Sequence, residues 1–252
     1  LISQKNKGPA AARNHALGLK DIDWIAYLDA DDWWEPDKTQ MQLEFAKQRS
    51  IDFLWCNGFY ANGNSFKPIN NHKTIISDYK IENGVIGRIF GFKKRNAFSF
   101  PSASFINQDA LISLNGFNEE IKYSNDYDLF VRAYCENFKI GFMKERLFNY
   151  FISSNENKMT NQTKDVIESQ HKYWHFYLQN YVATQKPNLI DDFIITRNQI
   201  DLDQISLLAK RRFYKQSFDS AINYNKNIFH AFFVAFKGIT ISLFSLLKKI
   251  NK

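Results

Sequence analysis

Five apolar residues, Trp24-Ile25-Ala26-Tyr27-Leu28, run directly into Asp29-Ala30-Asp31-Asp32. A short unbroken apolar run reads as a strand buried on both faces. Three carboxylates in four positions do not belong in the core such a strand enters, so the chain must leave the core where they begin. Ligands of open α/β sheets gather outside the carboxyl ends of strands. This junction therefore predicts a sheet with helices packed on it and chemistry along one edge.

The flanking segments fit that frame. Gly8-Pro9 followed by Ala10, Ala11 and Ala12 predicts a helix over 8–19, because proline suits a first turn and alanine favours helix. Pro36 opens a second helix over 36–49, with Met41, Leu43, Phe45 and Ala46 as inward candidates. A strand is expected over 51–55, loops and short elements over 61–96, and a strand over 99–106 broken by Pro101. Asn107 is placed to cap a short helix that stops at Asn115-Gly116. Ser124 or Asn125 caps a helix over 126–137, and two strands follow at 139–143 and 146–152. After Ser153 the pattern is helical. Alternating strands and helices up to that point imply a mixed, mainly parallel α/β sheet flanked by helices. The chain thus divides into an α/β unit over 1–155 and a helical region over 156–252.

The carboxylates admit two readings. Asp29 and Asp31 repel each other unless a cation compensates. Hard divalent ions such as Mg²⁺ or Mn²⁺ take one or two carboxylates and complete their shell with water and substrate phosphates. The other reading is an acidic cap on the helix that follows.

A longer pattern surrounds this cluster. Lys7-Gly8-Pro9-Ala10-Ala11-Ala12-Arg13-Asn14 stands one helix before Leu28-Asp29-Ala30-Asp31-Asp32, and Pro36 follows. Further on come Asn115-Gly116-Phe117-Asn118-Glu119-Glu120, then Asn125-Asp126, Leu129 and Arg132. In this order and spacing the sequence resembles the family 2 glycosyltransferases of the GT-A fold, over roughly residues 3–160. The family carries an acid where this chain has Asn118 and Asn125. It also opens with a strand, helix and strand that hold the nucleotide base. The sequence here begins at Leu1, after the place where that unit is expected.

The resemblance implies an inverting transferase that moves one sugar from a nucleotide-sugar donor to a glycan or lipid-linked acceptor in cell-surface polysaccharide synthesis. It implies Asp31 as ligand of Mn²⁺ or Mg²⁺, with Asp29 on the same ion or on the nucleotide ribose. Asp32 is then a supporting group or a helix cap. Lys7, Gly8, Arg13 and Asn14 fall on the nucleotide side. Arg13 either meets the phosphates or forms an ion pair with the Asp cluster. Asp126 is implied as the general base. The alternative function is a non-catalytic, glycosyltransferase-like binding or scaffold protein. Trp33, Trp34 and Trp55 either stack on sugars or pack around the strand ends.

The net charge of +7 invites a nucleic-acid reading, but its distribution argues against one. Residues 204–252 hold nine Lys or Arg and one acid, Asp219, for a net +8, which leaves the other 203 residues at −1. Within this tail, Phe229, Phe232, Phe233, Phe236, Leu243 and Leu247 recur at helical spacing. An amphipathic helix on an anionic membrane, packing against protein and a membrane span are all open, with Lys237 mid-run opposing the span. The expected location is cytoplasmic, and the membrane-binding reading of the tail would place the chain peripherally on the inner face of the cell membrane. Gln170 to Trp174 comes near a Gln-x-x-Arg-Trp signature but has Tyr173 at the arginine. His171 and His175 have zinc spacing without a third ligand, so neither motif is given a role.

Overall fold

The computed structural model describes residues 3–69, 100–121, 124–152, Tyr173 and 177–190. The Gln170–Trp174 motif apart from Tyr173, the histidine pair, the basic tail and most of the expected 156–252 region lie outside the described residues.

A six-stranded mixed sheet forms the centre. Its strands are β1 (Trp24–Ile25), β2 (Trp33–Trp34), β3 (Phe53–Asn62), β4 (Ser65–Pro68), β5 (Ser104–Asn107) and β6 (Ile140–Phe151). The order is β1-β5-β3-β6-β2, with β4 added to β3 as a hairpin. Parallel pairing is confined to the long β3–β6 ladder; β5 inserts between β1 and β3 and runs against both, and the β2–β6 and β3–β4 ladders are antiparallel as well. β1, β3 and β6 still point the same way, so their carboxyl ends share one edge.

The helices are α1 (Pro9–Asn14), α2 (Lys38–Arg49), α3 (Gln108–Ser113), α4 (Asn125–Cys135) and α5 (Gln179–Gln185). The expected 8–19 helix tightens to 3₁₀ geometry at His15–Gly18. Asn107 caps α3 as expected, its side chain accepting from the Ala110 N–H at 3.0 Å. Asn115 and Gly116 then turn left-handed, at φ 56° and 66°, and end the helix. Ser124 precedes α4 without a side-chain capping bond.

One local expectation is corrected, and two features go beyond the sequence reading. The strands predicted at 139–143 and 146–152 are one strand, β6. Lys144 and Glu145, which fall between the two expected strands, occupy a register shift against Cys56 and Asn57, and a bulge absorbs them. Trp33 and Trp34, to which the sequence assigns no element, pair with Asn149 and Phe148 at the sheet edge. Of the inward candidates of α2, Ala46 is in the core and Met41, Leu43 and Phe45 pack half-buried against it, but the fully buried stripe also holds the polar Lys38 and Gln42.

That polar stripe has a physical reason. The chain enters β5 through a 3₁₀ turn at Pro101–Ala103, so the buried carbonyls of the turn and of the first β5 residue need donors from elsewhere. Trp34 Nε1 donates to Ser102 O at 2.8 Å, Gln42 Nε2 to Ala103 O at 3.0 Å and Lys38 Nζ to Ser104 O at 3.2 Å. Lys38 also lies 4.3 Å from the Trp34 ring, and burial lowers its pKa to about 8.

The core is aromatic. Trp55 stacks on Phe53 and Phe142, and Phe130 of α4 meets it edge-on at 5.5 Å. Burying side chains of this size contributes about 2–3 kcal/mol each. Trp55 is therefore a packing residue.

Candidate functional site

The apolar run leaves its ladder after Ile25, and Asp29 to Asp32 form a tight turn closed by Asp32 N–H donating to Asp29 O at 3.0 Å. Ser102 fixes this turn. Its hydroxyl accepts from the Asp29 N–H at 3.1 Å and donates to Asp32 Oδ2 at 2.6 Å. Asp32 Oδ1 accepts from the Phe151 N–H at 3.0 Å, so the residue ties the turn to the end of β6. It does not cap α2, whose N-cap is Asp37. Burial raises the pKa of Asp32, opposed by the hydrogen bonds from Ser102 and Phe151.

Asp29 is half-buried and Asp31 exposed. Arg13 Nη2 donates to Asp29 Oδ1 at 2.6 Å, while Nη1 donates to Asn125 Oδ1 at 3.0 Å. The arginine thus joins the carboxylate turn to the first residue of α4. Of the two sequence readings for Arg13, the ion pair is present.

Asp126 follows at the start of α4. Burial raises its pKa, and the charge of Arg13 and the nearby backbone N–H groups oppose the rise. A carboxylate held above its ordinary range is a better proton acceptor than a solvated one.

Asn14 is engaged by the turn before α4. Its Oδ1 accepts from Phe117 N–H at 2.8 Å, and its Nδ2 donates to Phe117 O at 2.9 Å and Glu119 Oε1 at 2.8 Å. A side chain at Gly116 would put its Cβ 2.4 Å from Asn14 Oδ1, so glycine is required there both for space and for its positive φ. Gly8 sits at φ 93°, before α1, with its N–H on Asn6 Oδ1. Lys7 is exposed and lines a cavity of about 200 Å³ with Gln4, Asn14 and Glu119. Arg13, Asn14, Asp29 and Asp126 are thus gathered around α1 and the start of α4, while Lys7 and Gly8 stand at its rim.

The donor set fits a hard divalent cation. Asp31 and Asp29 offer carboxylate oxygens only, and no group of three His, Cys, Asp or Glu converges among the described residues. Diphosphate and water oxygens would have to complete such a shell, as is usual for Mg²⁺.

Sequence reasoning missed Ser102 and Asn125. Ser102 acts on the turn from 70 or more positions away, so no spacing announces it. Asn125 carried one signal, an amide where an acid was expected.

Residues 1–114 match the profile described as glycosyl transferase family 2. The chain is 30% identical over 178 residues to the UDP-Glc:alpha-D-GlcNAc-diphosphoundecaprenol beta-1,3-glucosyltransferase WfgD of Escherichia coli, covering 66% of this chain and 62% of that protein. It is 27% identical over 163 residues to the amylovoran biosynthesis glycosyltransferase AmsB of Erwinia amylovora, covering 60% and 50%. It is 25% identical over 189 residues to the uncharacterized glycosyltransferase MJ1057 of Methanocaldococcus jannaschii, covering 74% and 60%. The chain therefore spans less than two thirds of the length of these relatives. A solved structure, S. aureus TarS 1–349 in complex with UDP-GlcNAc, is similar with a TM-score of 0.48 and 16% identity, over 82% of this chain and 67% of that one.

Proposed function

Because the chain belongs, through residues 1–114, to glycosyl transferase family 2, we propose that it transfers a single sugar, with inversion, from a nucleotide-sugar donor to a glycan or lipid-linked acceptor in polysaccharide synthesis. The observation that carries this reading is the Arg13 bridge, which sets the Asp29–Asp32 turn beside the start of α4.

Donor and acceptor chemistry divide between these two segments. Asp31 and Asp29 would hold Mn²⁺ or Mg²⁺. The ion, when bound, supplies positive charge to the diphosphate leaving group. Arg13 adds a fixed cation on the same side, and Ser102 keeps the turn from relaxing. Asp126 takes the proton of the attacking acceptor hydroxyl, and its raised pKa suits that role. Asn14 and Gly116 hold the 115–119 turn that leads into α4. The net +8 of residues 204–252 suits an anionic membrane surface, where a lipid-linked acceptor would be found. No helix among the described residues is long and apolar enough to cross a membrane. Co-sedimentation with anionic liposomes, lost on deleting 226–252, tests that partner.

Calorimetry with UDP-, GDP- and dTDP-sugars in the presence of Mn²⁺ tests the donor. One of them should bind, and only with the metal. Asp126→Asn should keep that binding and lower transfer by about 10²–10⁴-fold, the usual contribution of a general base. Full transfer by this variant would remove Asp126 from the mechanism. Absence of any donor binding would favour the non-catalytic scaffold.

A further inference from the structure

Asn125 is only 4% exposed, yet it sits at the open end of a helix. Its Oδ1 is occupied by Arg13 Nη1 at 3.0 Å, and Nη2 of the same guanidinium holds Asp29 Oδ1 at 2.6 Å. The guanidinium lies against Phe117, with Cζ 5.4 Å from the ring centroid. The Arg13 carbonyl accepts from Tyr27 OH at 3.3 Å. The fork is therefore held at both nitrogens, on one ring face and through its own backbone.

A planar guanidinium fixes the angle between the groups it bridges, which a rotating ammonium does not. The two groups bridged are the carboxylate turn and the residue immediately before Asp126. Asn125 brings an acceptor oxygen without a second negative charge, so Arg13 is neutralised once, by Asp29. An aspartate there would add a net charge beside Asp29 and Asp126; an alanine would leave the fork held on one side only.

We propose that Asn125 and Arg13 are a positioning couple, in which the buried amide seats the guanidinium so that the Asp29 turn and the start of α4 keep one fixed relation. The couple rests on the sugar-transfer reading and adds to it a role for a residue that touches neither donor nor metal. Its disruption should act on the rate of the chemical step and leave donor binding in place, because Arg13 still pairs with Asp29.

The test uses the whole 252-residue chain, Mn²⁺ and whichever of the UDP-, GDP- or dTDP-sugars binds the wild type. Asn125→Ala should lower nucleoside diphosphate release by about 10–100-fold, the scale of a 1 Å misplacement at a reaction centre, while the donor Kd stays within about 3-fold. Arg13→Lys should fall similarly, since one ammonium does not span both acceptors. Asn125→Asp restores an acceptor oxygen at the same place but adds a charge beside Asp29 and Asp126, and should recover part of the rate lost in Asn125→Ala. A wild-type rate in Asn125→Ala, or a loss of donor binding as large as its loss of rate, overturns the couple. Failure of the wild type to bind any donor overturns the sugar-transfer reading, and the couple with it. The nitrogen-15 resonances of the Arg13 side chain give a readout without substrate: restrained in the wild type and Asn125→Asp, averaged by free rotation in Asn125→Ala. An unchanged signal in Asn125→Ala also overturns the proposal.

Discussion

Arg13 and Arg132 each pair with an aspartate at nearly the same distance, 2.6 Å to Asp29 and 2.7 Å to Asp128. Their surroundings differ. Arg132 is buried and its fork is filled: Nε and Nη2 reach Asp128, Nη1 reaches Leu114 O at 2.6 Å, and Nη2 also reaches Gly116 O at 2.7 Å. Asp128 is fully buried and takes a further hydrogen bond from Tyr173 OH. Arg13 and Asp29 are partly open, and the guanidinium has two side-chain acceptors among the described residues, one of them an amide. One pair closes α4 onto the end of α3. The other stands at the mouth of α4 with solvent access on the carboxylate side. A buried, saturated pair serves the fold; an accessible one still has capacity for a ligand.

The largest effect should come from the buried pair. Arg132→Met strands the Asp128 carboxylate and two carbonyls, and should cost about 3–5 kcal/mol in urea unfolding, the range for breaking one side of a buried ion pair. A cost below about 1 kcal/mol, the level of an exposed pair, would erase the distinction between the two arginines. Ser102→Ala is next. It removes a fully buried hydroxyl that serves both Asp29 N–H and Asp32, and about 1–3 kcal/mol is expected. Donor affinity should fall with it, because the turn that presents Asp29 and Asp31 loses its brace. Loss of stability with unchanged donor affinity would make Ser102 a residue of the fold alone.

The contrast between the arginines also marks what was legible beforehand. Gly8-Pro9 at the start of α1, Asn107 at the cap of α3 and Asn115-Gly116 at its end act within a few residues, so their chemistry is written locally. The Asp29–Asp32 turn after its apolar run is of the same kind. The partners of Arg13 were open between phosphate and carboxylate, since both suit a guanidinium. What stayed hidden depends on contacts across the chain. Trp33 and Trp34 form a strand only because β6, more than a hundred residues later, offers Phe148 and Asn149. The inward face of α2 is polar only because carbonyls some sixty residues away need donors. Asn125 belongs with these: its value lies in a bond to residue 13.

The smallest effect on stability should come from Arg13, and it is the most informative about the site. Arg13→Gln should change stability by no more than about 1 kcal/mol, as for other accessible pairs. Its effect on pH dependence has a definite sign. Burial raises the Asp126 pKa, and the Arg13 charge opposes that rise. A base must be ionised, so transfer falls as pH drops through this pKa, and the acidic limb lies above the ordinary carboxylate range. Removing the Arg13 charge moves the limb to higher pH still. Stability runs the other way. A carboxyl whose folded pKa exceeds its unfolded one favours the folded state fully below the unfolded value, and that contribution is lost as pH rises through the folded value. Asp126→Asn abolishes the loss, so this variant should gain stability relative to wild type between mildly acidic and neutral pH, and the gain should disappear in acid. An acidic limb that stays in place in Arg13→Gln would mean that the guanidinium does not act on Asp126, and the open pair would then differ from the buried one only in its exposure.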